Sequence, residues 1–242
     1  RALVVINPNN PTGAVYSKQT LQALADMAKA HRLVLLADEI YEGIGYDGAD
    51  MVPLATLVDD GVCLTFGGLS KVYRACGYRI GWAVLSGAID HATDYWAAIE
   101  KLAALRLSAN MPGQWAVQTA LGGHQSIQEL VSTDGRLYQA RQAVIESVDA
   151  SRHLSLVTPQ GALYAFPCIQ AIDQAHRQGA PLPFDDQAFA ETLLEKKHIL
   201  VVPGSSFNFP NPAHFRVTLL PQPDVLKSAF AAIDEVLSDW LD

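Results

Sequence analysis

Four predominantly apolar runs of strand length, at residues 2–6, 33–37, 62–66 and 80–85, punctuate the first part of the chain. Continuous rather than alternating apolar strands are buried on both faces, as in a parallel sheet covered by helices on either side. Between the first two runs, Ser17 is placed to cap a helix on which Leu21, Leu24, Ala25 and Ala28 recur at helical spacing. The strand ends at Ile6 and Ala37 lie about one βαβ unit apart. The chain therefore reads as α/β, holding part of a three-layer, mostly parallel sheet. Arg1 leads straight into the first run, and a buried parallel strand needs a neighbour on each side. The sequence thus predicts a piece of a larger protein whose N-terminal part is missing.

Further along, the character changes. Residues 88–121 are mostly helical, with a break at Asn110-Met111-Pro112-Gly113, and Leu137, Arg141, Val144, Ile145 and Val148 trace another helix. Short strands are expected at 154–157, 162–166, 199–202 and 215–219, with a helix bearing Phe189, Leu193 and Leu194 among them. Leu226, Phe230, Ile233, Leu237 and Trp240 share one face of a last helix, and residues 174–186, with Gly179, Pro181 and Pro183, read as a surface loop. This divides the chain into residues 1–125, the second half of a large domain, and residues 126–242, a small α+β domain.

Charge and cysteine usage narrow the partners. The 17 Lys and Arg against 25 Asp and Glu give a net charge of −8, with no basic run, which argues against general nucleic-acid binding. No apolar run approaches the ~18–20 residues of a membrane helix. Cys63, Cys76 and Cys168 are odd in number and lack metal-ligand spacing, so no metal is expected and a reducing, cytoplasmic setting is the simplest reading.

In open α/β sheets ligands sit outside the carboxyl ends of the strands. After Ile6 comes Asn7-Pro8-Asn9-Asn10-Pro11-Thr12-Gly13. After Ala37 comes Asp38-Glu39-Ile40-Tyr41, and after Phe66 comes Gly67-Gly68-Leu69-Ser70-Lys71, then Arg79. An amide, a carboxylate, a phenol, an amine and a guanidinium thus gather at one sheet edge, a set suited to a phosphorylated, aromatic, carbonyl-bearing ligand. Each residue alone has a plainer account. Asn-Pro-Thr-Gly is an ordinary turn, Asp38 a cap, Tyr41 core, Lys71 a solvated lysine, and Arg216 a surface strand residue. A phosphate-loop motif is excluded because its Gly-x-x-x-x-Gly-Lys spacing is absent. The joint placement at successive strand ends outweighs the separate accounts.

Asn-Pro-Asn-Asn-Pro-Thr-Gly, Asp-Glu-Ile-Tyr, and Leu-Ser-Lys followed eight residues later by Arg79 resemble the fold-type I pyridoxal-phosphate aminotransferases of class I. Residues 161–167 (Gly-Ala-Leu-Tyr-Ala-Phe-Pro), 202–207 (Val-Pro-Gly-Ser-Ser-Phe) and 215–217 (Phe-Arg-Val) match later landmarks of that family. Gly-Leu-Ser-Lys-Val-Tyr-Arg, residues 106–110 and residues 118–123 are similar to the bacterial glutamate–pyruvate (alanine) aminotransferases. The resemblance implies pyridoxal 5′-phosphate as cofactor, an amino acid and a 2-oxo acid as substrates, and a homodimer. It implies that Lys71 carries the cofactor covalently and, once displaced, shuttles the substrate's α-proton. Asp38 would pair with the pyridine nitrogen, and Tyr41 and Asn10 would bond the ring oxygen. Ser70 and Arg79 would hold the phosphate, and Arg216, with Asn10, the substrate α-carboxylate. On its strand Arg216 shares a face with His214 and Thr218, opposite Phe215, Val217 and Leu219.

Two departures stand out. Gly68 occupies a place where many relatives carry a hydroxyl residue, so one phosphate ligand is absent or supplied by backbone. The family's upstream half, with its ring-stacking aromatic and its contacts to the partner subunit's site, is not in this chain, which is therefore expected to be inactive alone. The implied reaction is transamination between L-alanine and 2-oxoglutarate. The alternatives are an aminotransferase for another amino acid and a non-enzymatic effector-binding domain of a regulator.

Overall fold

A computed structural model describes residues 1–180 and 182–241. The chain forms two compact units, one of Arg1–Pro8 and Val15–Gln128, the other of Asn9–Ala14 and Glu129–Asp242. Pro181, within the expected surface loop, lies outside the described residues.

The first unit is built on strands β1 (Ala2–Ile6), β2 (Val34–Asp38), β3 (Val62–Gly68) and β4 (Gly81–Gly87), hydrogen-bonded in that order. β1, β2 and β3 are parallel, with Ile6 level with Asp38 and Asp38 level with Phe66. The sheet is mostly parallel, as the sequence predicts, with β4 running antiparallel to β3. The reason is the connection. Residues 69–80 hold only turns and one short 3-10 segment, whereas a parallel crossover needs a longer path, usually a helix.

Helix α1 (Lys18–Ala30) joins β1 to β2. Ser17 Oγ accepts from Thr20 N at 3.1 Å and starts it, as the sequence predicts. Its buried Leu21, Ala25 and Ala28 pack on Val5, Leu35, Ala37 and Cys63, all on one face of the sheet. Val4, on the opposite face, is 60% exposed, so the two-sided cover expected of a parallel sheet is not met at β1. Helices α2 (Thr93–Leu105) and α3 (Met111–Gly122) follow. Asn110 starts α3, its Oδ1 accepting from Gly113 N at 3.2 Å while its Nδ2 donates to Tyr78 O at 3.0 Å. Around this corner Leu105 is 81%, Leu107 91% and Trp115 78% exposed. Helix α4 (Ile127–Val131), which the sequence pattern does not disclose, spans the division between the units.

In the second unit, helices α5 (Arg136–Ala150) and α8 (Pro223–Leu241) pack together. Lys227–Glu146 at 2.8 Å links them, and Arg152, just past α5, donates to Ser238 Oγ at 3.0 Å. β5 (Leu154–Ser155) pairs with β7 (Cys168–Ile169). β6 (Tyr164–Ala165), β9 (Phe215–Thr218) and β8 (Val202–Pro203) form a three-stranded antiparallel sheet with β9 in the middle. The observed strands are shorter than expected at 154–157, 162–166 and 199–202. Helix α6 (Gln170–Arg177) takes up the start of the expected loop at 174–186, and α7 (Asp186–Lys197) its end. α6 escapes a periodicity reading because it buries only Ile172 and its other residues are alanine or polar. The buried rings of Phe189 and Phe215 pack together between α7 and β9, and Phe184 and the more exposed Trp240 cover Phe189.

Residues 9–14 belong to this second unit although they follow β1. The Gly13 carbonyl accepts from Gln160 N and Gly161 N, both at 2.8 Å. Gly13 has φ +71°, and a Cβ there would lie 2.4 Å from Pro159 Cβ and 2.7 Å from Tyr164 O, so only glycine fits. Among the described residues no helix is long and apolar enough to cross a membrane, and no His/Cys/Asp/Glu cluster could hold a metal ion.

Candidate active site

In the first unit, the carboxyl ends of the three parallel strands set out the polar groups. Asn7 N donates to Asp38 O and Glu39 N to Phe66 O, each at 3.1 Å, so the ladder continues past the strand ends and holds the following residues in register. Asp38 closes β2, and one of its carboxylate oxygens accepts from Ile40 N at 3.2 Å, capping a turn rather than a helix. That turn delivers Tyr41, which is buried. Beyond β3, Leu69 N donates to Ile80 O and Ala75 N to Leu69 O, closing the loop that carries Ser70 and Lys71. Lys71 Nζ lies 5.9 Å from the centre of the Tyr41 ring, at the outer reach of a cation–π contact. Arg79, in the left-handed region at φ +53°, donates from Nη1 to Cys76 O at 2.7 Å and stands 3.5 Å from Ser70 Oγ. Amine beside phenol, and guanidinium beside hydroxyl, are the two pairings the fold makes here.

Gly68 has a steric explanation. It lies level with Gly81 across the antiparallel pair, and a Cβ would sit 2.9 Å from Ile80 O and 3.0 Å from Ile40 Cδ1. A hydroxyl-bearing side chain cannot be accommodated there without moving backbone.

Glu39 faces away from Asp38, as successive residues of an extended chain do. Its Oε1 accepts from Leu54 N at 2.8 Å, and burial pushes its carboxyl above the usual range. It borders a cavity of about 420 Å³ with Gly67, Trp82 and Gln125, whose walls include none of Asp38, Tyr41, Ser70, Lys71 or Arg79. The acidic pair Asp38-Glu39 is thus divided: one carboxylate caps the turn that leads to Tyr41, the other ties β2 to the 54–57 segment.

The second unit holds Asn10 and Arg216. Arg216 Nη1 donates to Asn10 Oδ1 at 2.9 Å, joining the turn after β1 to the middle strand of the small sheet. With its oxygen so engaged, Asn10 keeps its amide NH₂ as a donor. Phe215 and Val217 are buried on the other face of β9, as the alternation predicts. Burial pushes the His214 imidazole below its usual range, and its ring stacks on Phe166 with centroids 5.1 Å apart. Two residues that sequence reasoning did not single out lie against Arg216: the rings of Tyr164 and Phe207, 4.6 and 5.1 Å from the guanidinium carbon. Both stand inside motifs that carry the family resemblance, but a pairing across strands leaves no periodic signal in sequence.

The family model for aminotransferases of classes I and II matches residues 1–233. The glutamate-pyruvate aminotransferase AlaA of Escherichia coli K12 is 44% identical over 241 residues, 99% of this chain and 58% of that protein. An alanine aminotransferase of Mycobacterium tuberculosis is 45% identical over 240 residues, 99% of this chain and 54% of that protein. Among solved structures, an aminotransferase from Escherichia coli superposes with a TM-score of 0.91 at 44% identity, covering 98% of this chain and 57% of that one. An alanine aminotransferase from Pyrococcus furiosus does so with a TM-score of 0.86 at 31% identity, covering 98% and 57%. The chain thus spans little more than half the length of the relatives it matches.

Proposed function

The chain belongs to the class I and II aminotransferases, and on that premise we propose that the complete protein transfers an amino group between L-alanine and 2-oxoglutarate with pyridoxal 5′-phosphate. The observation that carries this reading is the agreement between relatives named for glutamate, pyruvate and alanine, at 44–45% identity, and the donor set of the first unit. That set fits the cofactor group by group. A carboxylate at Asp38 suits a pyridine nitrogen, a phenol at Tyr41 a ring oxygen, a primary amine at Lys71 an aldehyde, and the Ser70–Arg79 pair a phosphate. The bare backbone at Gly68, where a Cβ has no room, leaves the approach to that pair free of a side chain.

Each residue then has a task. Pyridoxal phosphate, when bound, supplies a conjugated ring into which the electrons of the broken Cα–H bond can drain. Lys71 Nζ would hold the cofactor through its aldehyde, and its free amine would serve as the base that moves the proton of the substrate Cα. Asp38 holds a proton on the ring nitrogen by ion pairing. Tyr41 and the Asn10 amide would serve as donors to the ring oxygen. Ser70 and Arg79 grip the phosphate, and Arg216 takes the substrate α-carboxylate through its planar fork. A homodimer and a cytoplasmic setting complete the proposal. The exposed apolar corner of α2 and α3 supports the first, and three free thiols the second.

The test is the appearance of pyruvate when the complete protein is given L-alanine, 2-oxoglutarate and cofactor. Pyruvate with stoichiometric glutamate is expected. Turnover of another amino acid with none of L-alanine would replace the substrate assignment and leave the family standing.

A further inference from the structure

Arg216 is fixed less by hydrogen bonds than by walls. Its Nη1 donates to Asn10 Oδ1, but its Nε is buried and has no hydrogen-bond partner among the described residues. A buried donor left unpaired is uncommon and unfavourable, so something else holds the group in place. The neighbours that do so are aromatic: the centres of the Tyr164 and Phe207 rings lie 4.6 and 5.1 Å from the guanidinium carbon. They come from opposite sides of β9, Tyr164 from β6 and Phe207 from the turn that follows β8.

The Phe207 wall is itself braced. Asp186, at the start of α7, accepts from Ser205 N at 2.8 Å and from Ser205 Oγ at 3.0 Å. Gly204 N donates to His214 O at 2.8 Å, and a Cβ on Gly204 would lie 2.7 Å from that oxygen. Phe166 meets the Phe207 ring edge-on with centroids 6.1 Å apart. A turn tied at two successive residues and backed by a third ring can hold Phe207 in one orientation.

We propose that Tyr164 and Phe207 are positioning residues for carboxylate recognition, confining the Arg216 guanidinium to one plane so that its fork is set before substrate arrives. This rests on the reading of Arg216 as the group that takes the substrate carboxylate. The physical reason is twofold. A guanidinium flanked by ring faces loses little further freedom on binding, and the rings keep water from its faces, which strengthens the in-plane hydrogen bonds. The walls act on ground state and transition state alike. Their loss therefore raises KM for both substrates and leaves kcat nearly unchanged.

The experiment measures affinity of the complete, cofactor-loaded protein for glutarate, a non-reacting five-carbon dicarboxylate, by calorimetry, together with KM and kcat. Phe207→Leu and Tyr164→Leu are each expected to weaken glutarate binding about tenfold, the scale of a desolvated cation–π contact. They should raise KM to match, while cofactor affinity stays unchanged. Phe207→Tyr and Tyr164→Phe, which keep a ring, should bind like the unaltered protein. Arg216→Ala separates the two levels of the argument. If it leaves glutarate binding intact, the carboxylate role of Arg216 falls. If it abolishes binding while either folded leucine variant binds glutarate normally, the positioning role alone is overturned. A drop in kcat or in cofactor affinity that the ring-keeping variants share would likewise overturn it, since that is the mark of a structural role.

Discussion

A single side chain at each strand end carries most of the proposed chemistry, and these were the residues most legible in sequence. Asp38 stands directly after an apolar run, and Lys71 and Arg79 lie in the loop between the third and fourth runs, where the sheet leaves nothing for a charged group to do except meet a ligand or solvent. Lys71 is expected to be the lysine trapped when the cofactor-loaded protein is reduced with borohydride, and peptide mapping that places the tag on Lys101 or Lys196 instead would remove it from its role. Asp38→Asn should keep cofactor bound while turnover drops on the order of a hundredfold or more, because the ring nitrogen loses its anionic partner. Near-normal turnover in that variant would show that the carboxylate only caps the turn at Ile40. Tyr164 and Phe207 were not legible as neighbours of Arg216, because strand pairing and a turn, not spacing, bring them there. His214 has a different consequence. Burial holds its imidazole below the usual value of about 6.5, against the opposing pull of Asp173. Below that value the unfolded chain binds a proton that the buried ring refuses, so its share of stability is present above about pH 6.5 and declines as the pH falls. Thermal unfolding followed across that range should show a shallower decline in His214→Gln than in the unaltered protein.

Whole elements were read well where burial is continuous and poorly where it is not. α1 and the first three strands announce themselves because Leu21, Ala25, Val5, Leu35 and Cys63 all serve one core. The direction of β4 is not written in its apolar run, since a run shows that a strand is buried and not which way it runs. α6 hides because seven of its eight residues are not buried, and the two-residue strands β5, β6, β7 and β8 are too short for any period to register. The turn at residues 9–14 presents the opposite case. Its Asn-Pro-Thr-Gly text marks a turn but gives no hint that the segment joins residues 159–164. Gly13→Ala forces a Cβ into backbone at a positive φ and should destabilise the protein by more than about 1 kcal/mol, measured by denaturant unfolding. An unchanged midpoint would show that the turn can step away from Pro159 without loss.

At the scale of the molecule, this chain holds most of the proposed polar ligands but little more than half the length of its relatives. These 242 residues alone are expected not to transaminate. Open apolar side chains at Leu105, Leu107 and Trp115 leave surface that favours association over solution as a monomer. A purified sample assayed with L-alanine, 2-oxoglutarate and excess cofactor should give no pyruvate and should sediment as more than one species. Turnover near ~10 s⁻¹, ordinary for an enzyme, would mean that these residues suffice for the chemistry. The segment Asn9–Ala14, which belongs to one compact unit while the chain on both sides of it belongs to the other, also bears on inheritance. A single crossover between two related genes at the boundary after Gln128 would pair one parent's Asn10 and Gly13 with the other parent's Arg216, Gln160 and Gly161. Gene shuffling at that seam is therefore constrained by six codons far upstream, and chimaeras should fold best when those codons travel with the second unit.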